Sequence, residues 1–338
     1  MLIEQFAGDE LEWDEFVRGS PGWTHCHLYG WRHVIAGVFG HDCTYLAARD
    51  DRGALVGVLP LVRVRSLLFG HYLVSMPFLN YGGPLGGGEA VAALAAHAIA
   101  LRDREGAGLL ELRSAAPQPL PLAVSHRKVT VVLDLPPGDP GRLWLRLPAK
   151  VRNQVRRPQR DGITVRFGLD QVDPFFAVFS RHMRDLGTPT QSRRFFRAVA
   201  DTFPRDVWFG CAYLRGRPVA GGCGFQWDRQ FEMTWAASLR AYRRSAPNMA
   251  LYWAFMERAA GEGLDLFNFG RCTPGSSTHH FKRQWGSRDV ALWWYHAGAR
   301  AATPSPHHGP WALGPLVWRR LPLALATALG PRIVRYLP

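Results

Sequence analysis

The sequence predicts a mixed α/β fold laid out as two successive α/β units. Strand-length apolar runs alternate with segments of helical periodicity along the chain. A Pro/Gly cluster, Pro136-Pro137-Gly138 with Pro140, interrupts that pattern. Beyond it the same succession of helices, meander, helix and strand recurs, without a residue-level repeat, so the duplication rests on element order. The 338 residues are enough for two domains of ordinary size, and 47% hydrophobic with 20% charged residues excludes disorder over most of the length. The expected divisions are 1–138, 139–300 and a tail, 301–338.

In chain order, helical periodicity covers 10–18 and 28–38, and apolar runs at 43–48, 54–64 and 69–76 read as strands, the first two joined by the turn Asp51-Arg52-Gly53. Residues 77–88 form a glycine-rich loop, followed by an alanine-rich helix over 89–104 and strands at 108–113 and 127–134. Past the Pro/Gly cluster come helices at 139–146 and 149–157, a strand at 162–167, and helices at 171–186 and 191–202. Pro148 suits the start of the 149–157 helix and Pro158 its end. A three-strand meander follows at 206–213, 217–226 and 230–236, turning at Arg215-Gly216-Arg217 and Asp228-Arg229. A helix at 247–261 and strands at 264–269 and 289–296 complete the pattern.

The net charge of +14 comes from 41 Lys and Arg against 27 Asp and Glu, and only Lys128, Lys150 and Lys282 are lysines. Such a balance attracts polyanions: RNA, anionic headgroups, or nucleotide-linked and phosphorylated substrates. An evenly basic surface is the competing reading. The five cysteines are dispersed and show no metal-ligand spacing, which excludes a disulfide framework or structural zinc as the organising device. The first sixteen residues are acidic rather than basic, and no run approaches the ~20 apolar residues of a membrane span. These features point to a cytoplasmic protein. The tail is Pro-rich to Pro310 and then basic and apolar, from Trp311 through Arg319 and Arg320 to Leu329. It reads either as a helix packed on the body or as a segment lying on anionic lipid at the inner membrane.

The segment richest in chemistry is 267–286. A buried strand runs into Gly270 with Arg271 at its end; a Pro/Gly/Ser loop containing Ser277 follows, then a short helix bearing Phe281, Lys282 and Trp285. Lys282 and Trp285, three apart, fall on one helix face. A strand end, a loop and a cation can build a site for a developing oxyanion. Equally, Lys282 reads as a solvated lysine beside core aromatics. His279 and His280 are either proton acceptors or a solvated pair. Asn248 reads as a helix N-cap, and Tyr81 as either an acceptor contact or a loop stabiliser. Residues 142–160 carry seven cations and no acid; Lys150, Arg152, Arg156 and Arg157 form a ridge suited to a phosphate backbone, as in tRNA. No Ser/His/Asp or Cys/His arrangement is evident, and Arg104-Glu105-Gly106-Ala107-Gly108 has the wrong spacing for a pyrophosphate-cradling turn, which disfavours CoA.

The run Pro247-Asn248-Met249-Ala250-Leu251-Tyr252-Trp253, then Asn268-Phe269-Gly270-Arg271, then Phe281-Lys282-Arg283-Gln284-Trp285-Gly286, resembles the C-terminal signature of FemAB-like proteins of the GNAT superfamily. It is most similar to those accompanying PEP-CTERM/exosortase exopolysaccharide systems. The likeness extends over Phe39-Gly40-His41, Gly57-Val58-Leu59-Pro60-Leu61, Ser66-Leu67-Leu68-Phe69-Gly70, Ser75-Met76-Pro77-Phe78, Tyr81-Gly82-Gly83, Asp185-Leu186-Gly187-Thr188-Pro189 and the tail. The resemblance implies tandem GNAT-like acyltransferase domains with an acceptor site in the cleft between them. It implies an acyl or aminoacyl group moved to an amine of a peptidoglycan, other cell-envelope or exopolysaccharide precursor. Lys282 would then stabilise the transition state, with Arg271, Phe281, Tyr81, Asn248, Trp285 and Ser277 around the substrate. No tightly bound cofactor or metal is expected; the donor would be aminoacyl-tRNA, or else acyl-CoA or acyl carrier protein. The competing class is a non-catalytic RNA- or membrane-binding protein using the ridge and the tail.

Overall fold

The computed structural model describes residues 1–66, 69–298 and 314–337. The Pro-rich start of the tail and Trp311 lie outside them. The chain divides into two compact units: one takes Met1–Lys128 with segments beginning at Ala291 and at Arg332, the other Val129–Val290 with a tail segment ending at Pro331.

The first unit opens with β1 (Leu2–Gln5), a strand that the sequence pattern does not announce, and α1 (Glu10–Gly19), capped by Asp9, whose carboxylate accepts from Leu11 N at 3.0 Å. Then come α2 (Gly30–Phe39), β2 (Asp42–Arg49), β3 (Leu55–Ser66), β4 (Gly70–Val74), the short β5 (Leu85–Gly86), α3 (Gly88–Glu105), β6 (Leu109–Ser114) and β7 (Ala123–Ser125). A 3-10 turn over His25–His27 delays α2 by two residues relative to the expected helix. Leu46, Leu59 and Leu61 from the strands meet Leu94 and Ala98 of α3, so one face of α3 closes this core.

The second unit begins with β8 (Val129–Asp134), α4 (Pro140–Arg146), α5 (Ala149–Arg160), β9 (Thr164–Phe167), α6 (Val172–Leu186) and α7 (Arg193–Thr202). The meander β10 (Val207–Leu214), β11 (Arg217–Trp227), β12 (Gln230–Ser238) follows, then α8 (Pro247–Gly261), β13 (Leu266–Cys272), α9 (Ser277–Arg283) and β14 (Arg288–Ala291). Its sheet has the order β14-β8-β13-β12-β11-β10-β9. The connection β12-α8-β13 makes a parallel pair in this sheet, reached through a helical crossover. Phe231, Phe255, Phe267 and Trp285 pack in its core. α5 runs through Pro158 to Arg160 instead of stopping before it: along the helix Val151, Val155 and Pro158 are all buried on one side, and that burial outweighs the lost N–H.

The last element of the sheet pattern, β15 (Trp293–Gly298), pairs with β6 and β7 of the first unit, whose sheet order is β1-β2-β3-β4-β6-β15-β7 with β5 on β3. The strand expected over 289–296 is therefore two strands in two sheets. In the same way β8 leaves the first unit and pairs with β13, moving the division from the expected 138 to 128. The Pro/Gly cluster is a turn within the second unit. Strand pairing, which composition does not record, sets the boundary.

In the tail, α10 (Gly314–Trp318) and α11 (Leu323–Val334) are helical. Arg184 of α6 donates to Leu321 O at 2.9 Å and Arg319 to Leu186 O at 3.2 Å, so this segment packs on the C-terminal end of α6. Leu316, Val317, Leu325 and Leu329 remain exposed. Among the described residues no helix is long and apolar enough to cross a membrane.

Candidate functional site

The parallel pairing of β12 and β13 is recorded from Gln230–Leu266 to Glu232–Asn268, while β12 continues to Ser238 and β13 to Cys272. Beyond Glu232 β13 follows β8 instead, with an irregularity between Asn268 and Arg271. Gly270 forms that irregularity at φ +74°, and a Cβ there would stand 2.8 Å from Met233 O. Asn268, buried, accepts from Gly270 N at 2.8 Å and from the Thr130 hydroxyl, which fixes the turned backbone. The result is a Gly270 carbonyl and an Arg271 carbonyl that both receive the Lys282 ammonium, at 2.7 and 3.0 Å.

Lys282 reaches them from α9, whose first turn is capped by Ser276 accepting from His279 N at 3.2 Å. Its side chain is buried, at 4% exposure, so the reading of a solvated lysine is set aside. Burial pushes the amine down to about 8, and the Arg271 guanidinium adds to this; Cys272 and the fully buried Glu232 act in the opposite direction. Three N–H donors on an ammonium with two carbonyl acceptors leave one donor for another oxygen.

The other expected site residues separate into groups. Arg271 lies inside β13 rather than past its end, half-buried, and Phe281 and Trp285 pack around Tyr252, with ring centroids at 5.0 and 6.5 Å. Trp285 falls after the last residue of α9, so Lys282 and Trp285 share only a terminal turn, the Trp285 N–H reaching Lys282 O at 3.4 Å. Ser277 is exposed at the start of α9. Asn248 does not cap α8: Ala246, in the left-handed region at φ 47°, holds the N-cap position and Pro247 is the first helical residue, which moves Asn248 into the helix. His279 is not solvated either. Its Nδ1 accepts from Gly275 N at 3.1 Å and its Nε2 donates to Asp289 at 3.0 Å, so both nitrogens shape the loop. His280 donates from Nδ1 to Ser276 O at 2.8 Å. Tyr81 belongs to the first unit and is buried at 3% exposure.

On α5, Arg152 folds back to donate to Leu145 O at 2.9 Å, and Arg156 stacks over Trp144 at 5.3 Å, while Lys150, Arg156 and Arg157 are all exposed. Among the described residues none of these four cations has a carboxylate in ion-pair range. Sequence reasoning missed Glu232 and Asn268 as parts of the site. An acid between Phe231 and Met233, in an otherwise apolar strand, was the available signal.

Gly270→Ala is expected to cost about 1–3 kcal/mol, because a side chain is strained at this φ and would displace Met233 O. Denaturant unfolding reads the cost; a wild-type midpoint would show that the turn is not required.

Residues 149–283 match the family model of the acetyltransferase (GNAT) domain. Over 152 residues the chain is 24% identical to the UDP-N-acetylmuramoylpentapeptide-lysine N(6)-alanyltransferase of Weissella viridescens, covering 44% of this chain and 45% of that protein. The match thus spans less than half of the relative's length. Among solved structures, FemX superposes with a TM-score of 0.65 at 14% identity, over 87% of this chain and 97% of FemX. The C-terminal domain of a putative lysylphosphatidylglycerol synthetase from Agrobacterium fabrum gives 0.58 at 13%, over 95% and 96%. A tandem GNAT protein from the clavulanic acid biosynthesis pathway gives 0.52 at 14%, over 86% and 96%. The chain therefore has the α/β architecture of tandem GNAT-like folds, is similar to Fem-type acyltransferases, and matches a GNAT domain model over residues 149–283, with Lys282 near the end of the match.

Proposed function

We propose that the chain is an N-acyltransferase that moves an acyl or aminoacyl group onto an amine of a cell-envelope precursor, peptidoglycan or exopolysaccharide, with Lys282 as its catalytic cation. The observation that carries this reading is the buried Lys282 ammonium fixed on Gly270 O and Arg271 O. The relation to a peptidoglycan-precursor alanyltransferase supports the acceptor class. In the reaction the acceptor nitrogen bonds to the donor carbonyl carbon, and the carbonyl oxygen becomes anionic. Its collapse expels the donor oxygen or sulfur, which takes up a proton equivalent to the one the amine gives up. A desolvated ammonium beside that oxygen stabilises the charge as it forms. Arg271, Phe281 and Trp285 adjoin this point in the chain, and Asn248 and Ser277 are proposed as further substrate contacts within the second unit. Aminoacyl-tRNA is the favoured donor, with exposed Lys150 and Arg157 beside Arg152 and Arg156 supplying a phosphate-binding face.

The test is incubation with a UDP-linked muramoyl pentapeptide and either labelled alanyl-tRNA or labelled acetyl-CoA. Label appearing on the acceptor amine from alanyl-tRNA supports the reading in full. Label from acetyl-CoA alone replaces the donor, and label from neither removes the peptidoglycan acceptor.

pH gives an independent check. Because Lys282 sits at about 8, its charge is lost as pH rises through that value, and the rate should fall there although the acceptor amine becomes more nucleophilic. A pH–rate profile rising through pH 9 would contradict a required ammonium. Stability moves the other way. The folded pKa lies below the ordinary 10.5, so at Lys282 the unfolded chain binds more protons between about 8 and 10.5, and the Lys282 contribution to stability, read as the difference between wild type and Lys282→Met, should rise with pH across that window by roughly 3 kcal/mol. Below pH 8 both states are charged and the burial penalty is constant. Lys282→Met should lack the rise.

A further inference from the structure

Residues 314–331, comprising α10, the turn after it and most of α11, are anchored on the segment 184–190 of the second unit. Besides the two arginine contacts to Leu321 O and Leu186 O, the backbones meet closely. A Cβ on Gly187 would stand 2.5 Å from Pro315 O, and one on Gly330 3.0 Å from Thr190 O, so neither contact has room for a side chain. Trp318 joins the two helices, its ring edge 3.7 Å from the same Gly330 position. This packing occupies one side only. On α11 Ala326 and Gly330, four apart, are buried, while Leu325 and Leu329, also four apart, are exposed together with Ala324 and Ala328. On α10 Leu316 and Val317 are 53% and 62% exposed.

We propose that this outward side is a docking surface for an anionic lipid membrane, on which the tail lies without crossing it. Among the described residues eleven large apolar side chains are exposed, and five of them, Leu186, Leu316, Val317, Leu325 and Leu329, belong to the tail and its support. Scattered singly, such side chains are ordinary; concentrated on one short segment, they mark an interaction surface. Charge selects the occupant. Residues 314–331 carry Arg319 and Arg320, both exposed, and no Asp or Glu. The one acid of the supporting segment, Asp185, is held by Arg184 at 2.7 Å. Aliphatic side chains beside guanidinium groups match the boundary of an anionic bilayer, where acyl chains meet phosphates. A protein partner is the poorer match, since protein hot spots favour aromatic anchors in fitted pockets and under-use Leu and Val. The twelve residues of α11 are too few to span a bilayer, so the contact is interfacial.

The experiment is flotation of the full chain with vesicles of phosphatidylglycerol and phosphatidylethanolamine, compared with vesicles of phosphatidylcholine. Partitioning at least about tenfold stronger on the anionic vesicles is expected, weakening as salt rises above about 0.1 M. Leu325→Gln with Leu329→Gln should lower it about tenfold or more, and Arg320→Gln about fivefold. A chain of net charge +14 is drawn to any polyanion, so the apolar pair is the decisive variant. Anionic-vesicle binding unchanged by that pair would reduce the contact to bulk charge and overturn the assignment. So would no binding of wild type, or equal binding to phosphatidylcholine. Self-association in sedimentation, abolished by the same pair and without vesicle binding, would make a second copy the occupant instead. All these side chains are exposed; should the α11 pair disturb folding, Leu316→Gln with Val317→Gln on α10 carries the same comparison. None of these readouts involves acyl transfer, so they stand or fall separately from the catalytic reading.

Discussion

Replacing Lys282 with methionine is expected to lower the rate of acyl transfer by about 10²–10³-fold, the cost of removing a preorganised oxyanion-stabilising group. The expectation follows from where the charge is held. At 4% exposure, with burial pushing its pKa down to about 8, the ammonium has exchanged water for Gly270 O and Arg271 O. A cation in so dry a setting interacts with a forming oxyanion far more strongly than a solvated one would, and it needs no reorganisation during the reaction. The loss should appear in kcat, with donor affinity nearly unchanged, because the charge is matched to the transition state and not to the neutral carbonyl. Methionine keeps most of the side-chain volume. It leaves two carbonyls without their donor but also removes a buried charge, so the two effects on stability oppose each other. Steady-state kinetics with the labelled donor decides the matter. A kcat within threefold of wild type would show that Lys282 is a structural strut between α9 and β13.

The sequence disclosed the second unit better than the first, for physical reasons. A meander with polar turns, a long helix and a following strand leave strong local periodicity, and β10 to β13 appear close to where that periodicity puts them. Lys282, one of three lysines, stood out beside aromatics, and the matching relatives carry the same architecture. What stayed hidden was non-local. β1 holds its place by pairing Leu2 with Arg49 and Gln5 with Leu46, partners more than forty residues away. β8 and β15 each sit in the sheet opposite to the one their position suggested, because pairing with β13 and with β6 decides it. Within the site, Asn248 looked like a cap since its residue type suits one. Only the left-handed Ala246 and the preformed φ of Pro247 moved the helix start forward. Glu232 was illegible as a neighbour of Lys282 because fifty residues separate them in the chain.

Arg113→Met is expected to destabilise the first unit by about 3–5 kcal/mol, the range for breaking a buried ion pair from one side. Arg113 and Glu111 are each 1% exposed and lie two apart on β6, hence on the same face. The guanidinium donates to Glu111 Oε1 from Nε at 2.7 Å and lies 4.4 Å from the Trp294 ring. Its Nη1 also reaches Met76 O at 3.2 Å and Leu79 O at 2.8 Å. Those carbonyls belong to a stretch in which Met76 and Phe78 adopt φ of 52° and 72°, a conformation unfavourable for side-chain-bearing residues. Arg113 therefore compensates a carboxylate and holds the turn that leads to Tyr81. Truncation should leave Glu111 buried without its guanidinium, with His296 Nδ1 3.6 Å away. The double variant Glu111→Gln with Arg113→Met should be more stable than Arg113→Met alone, because the stranded charge is gone, yet less stable than wild type, because Met76 and Leu79 still lack their donor. Thermal unfolding, with a drop on the order of 10 °C for the single variant, and hydrogen exchange at β6 separate these contributions. If the double variant is no more stable than the single one, loop anchoring rather than charge compensation is the main work of Arg113.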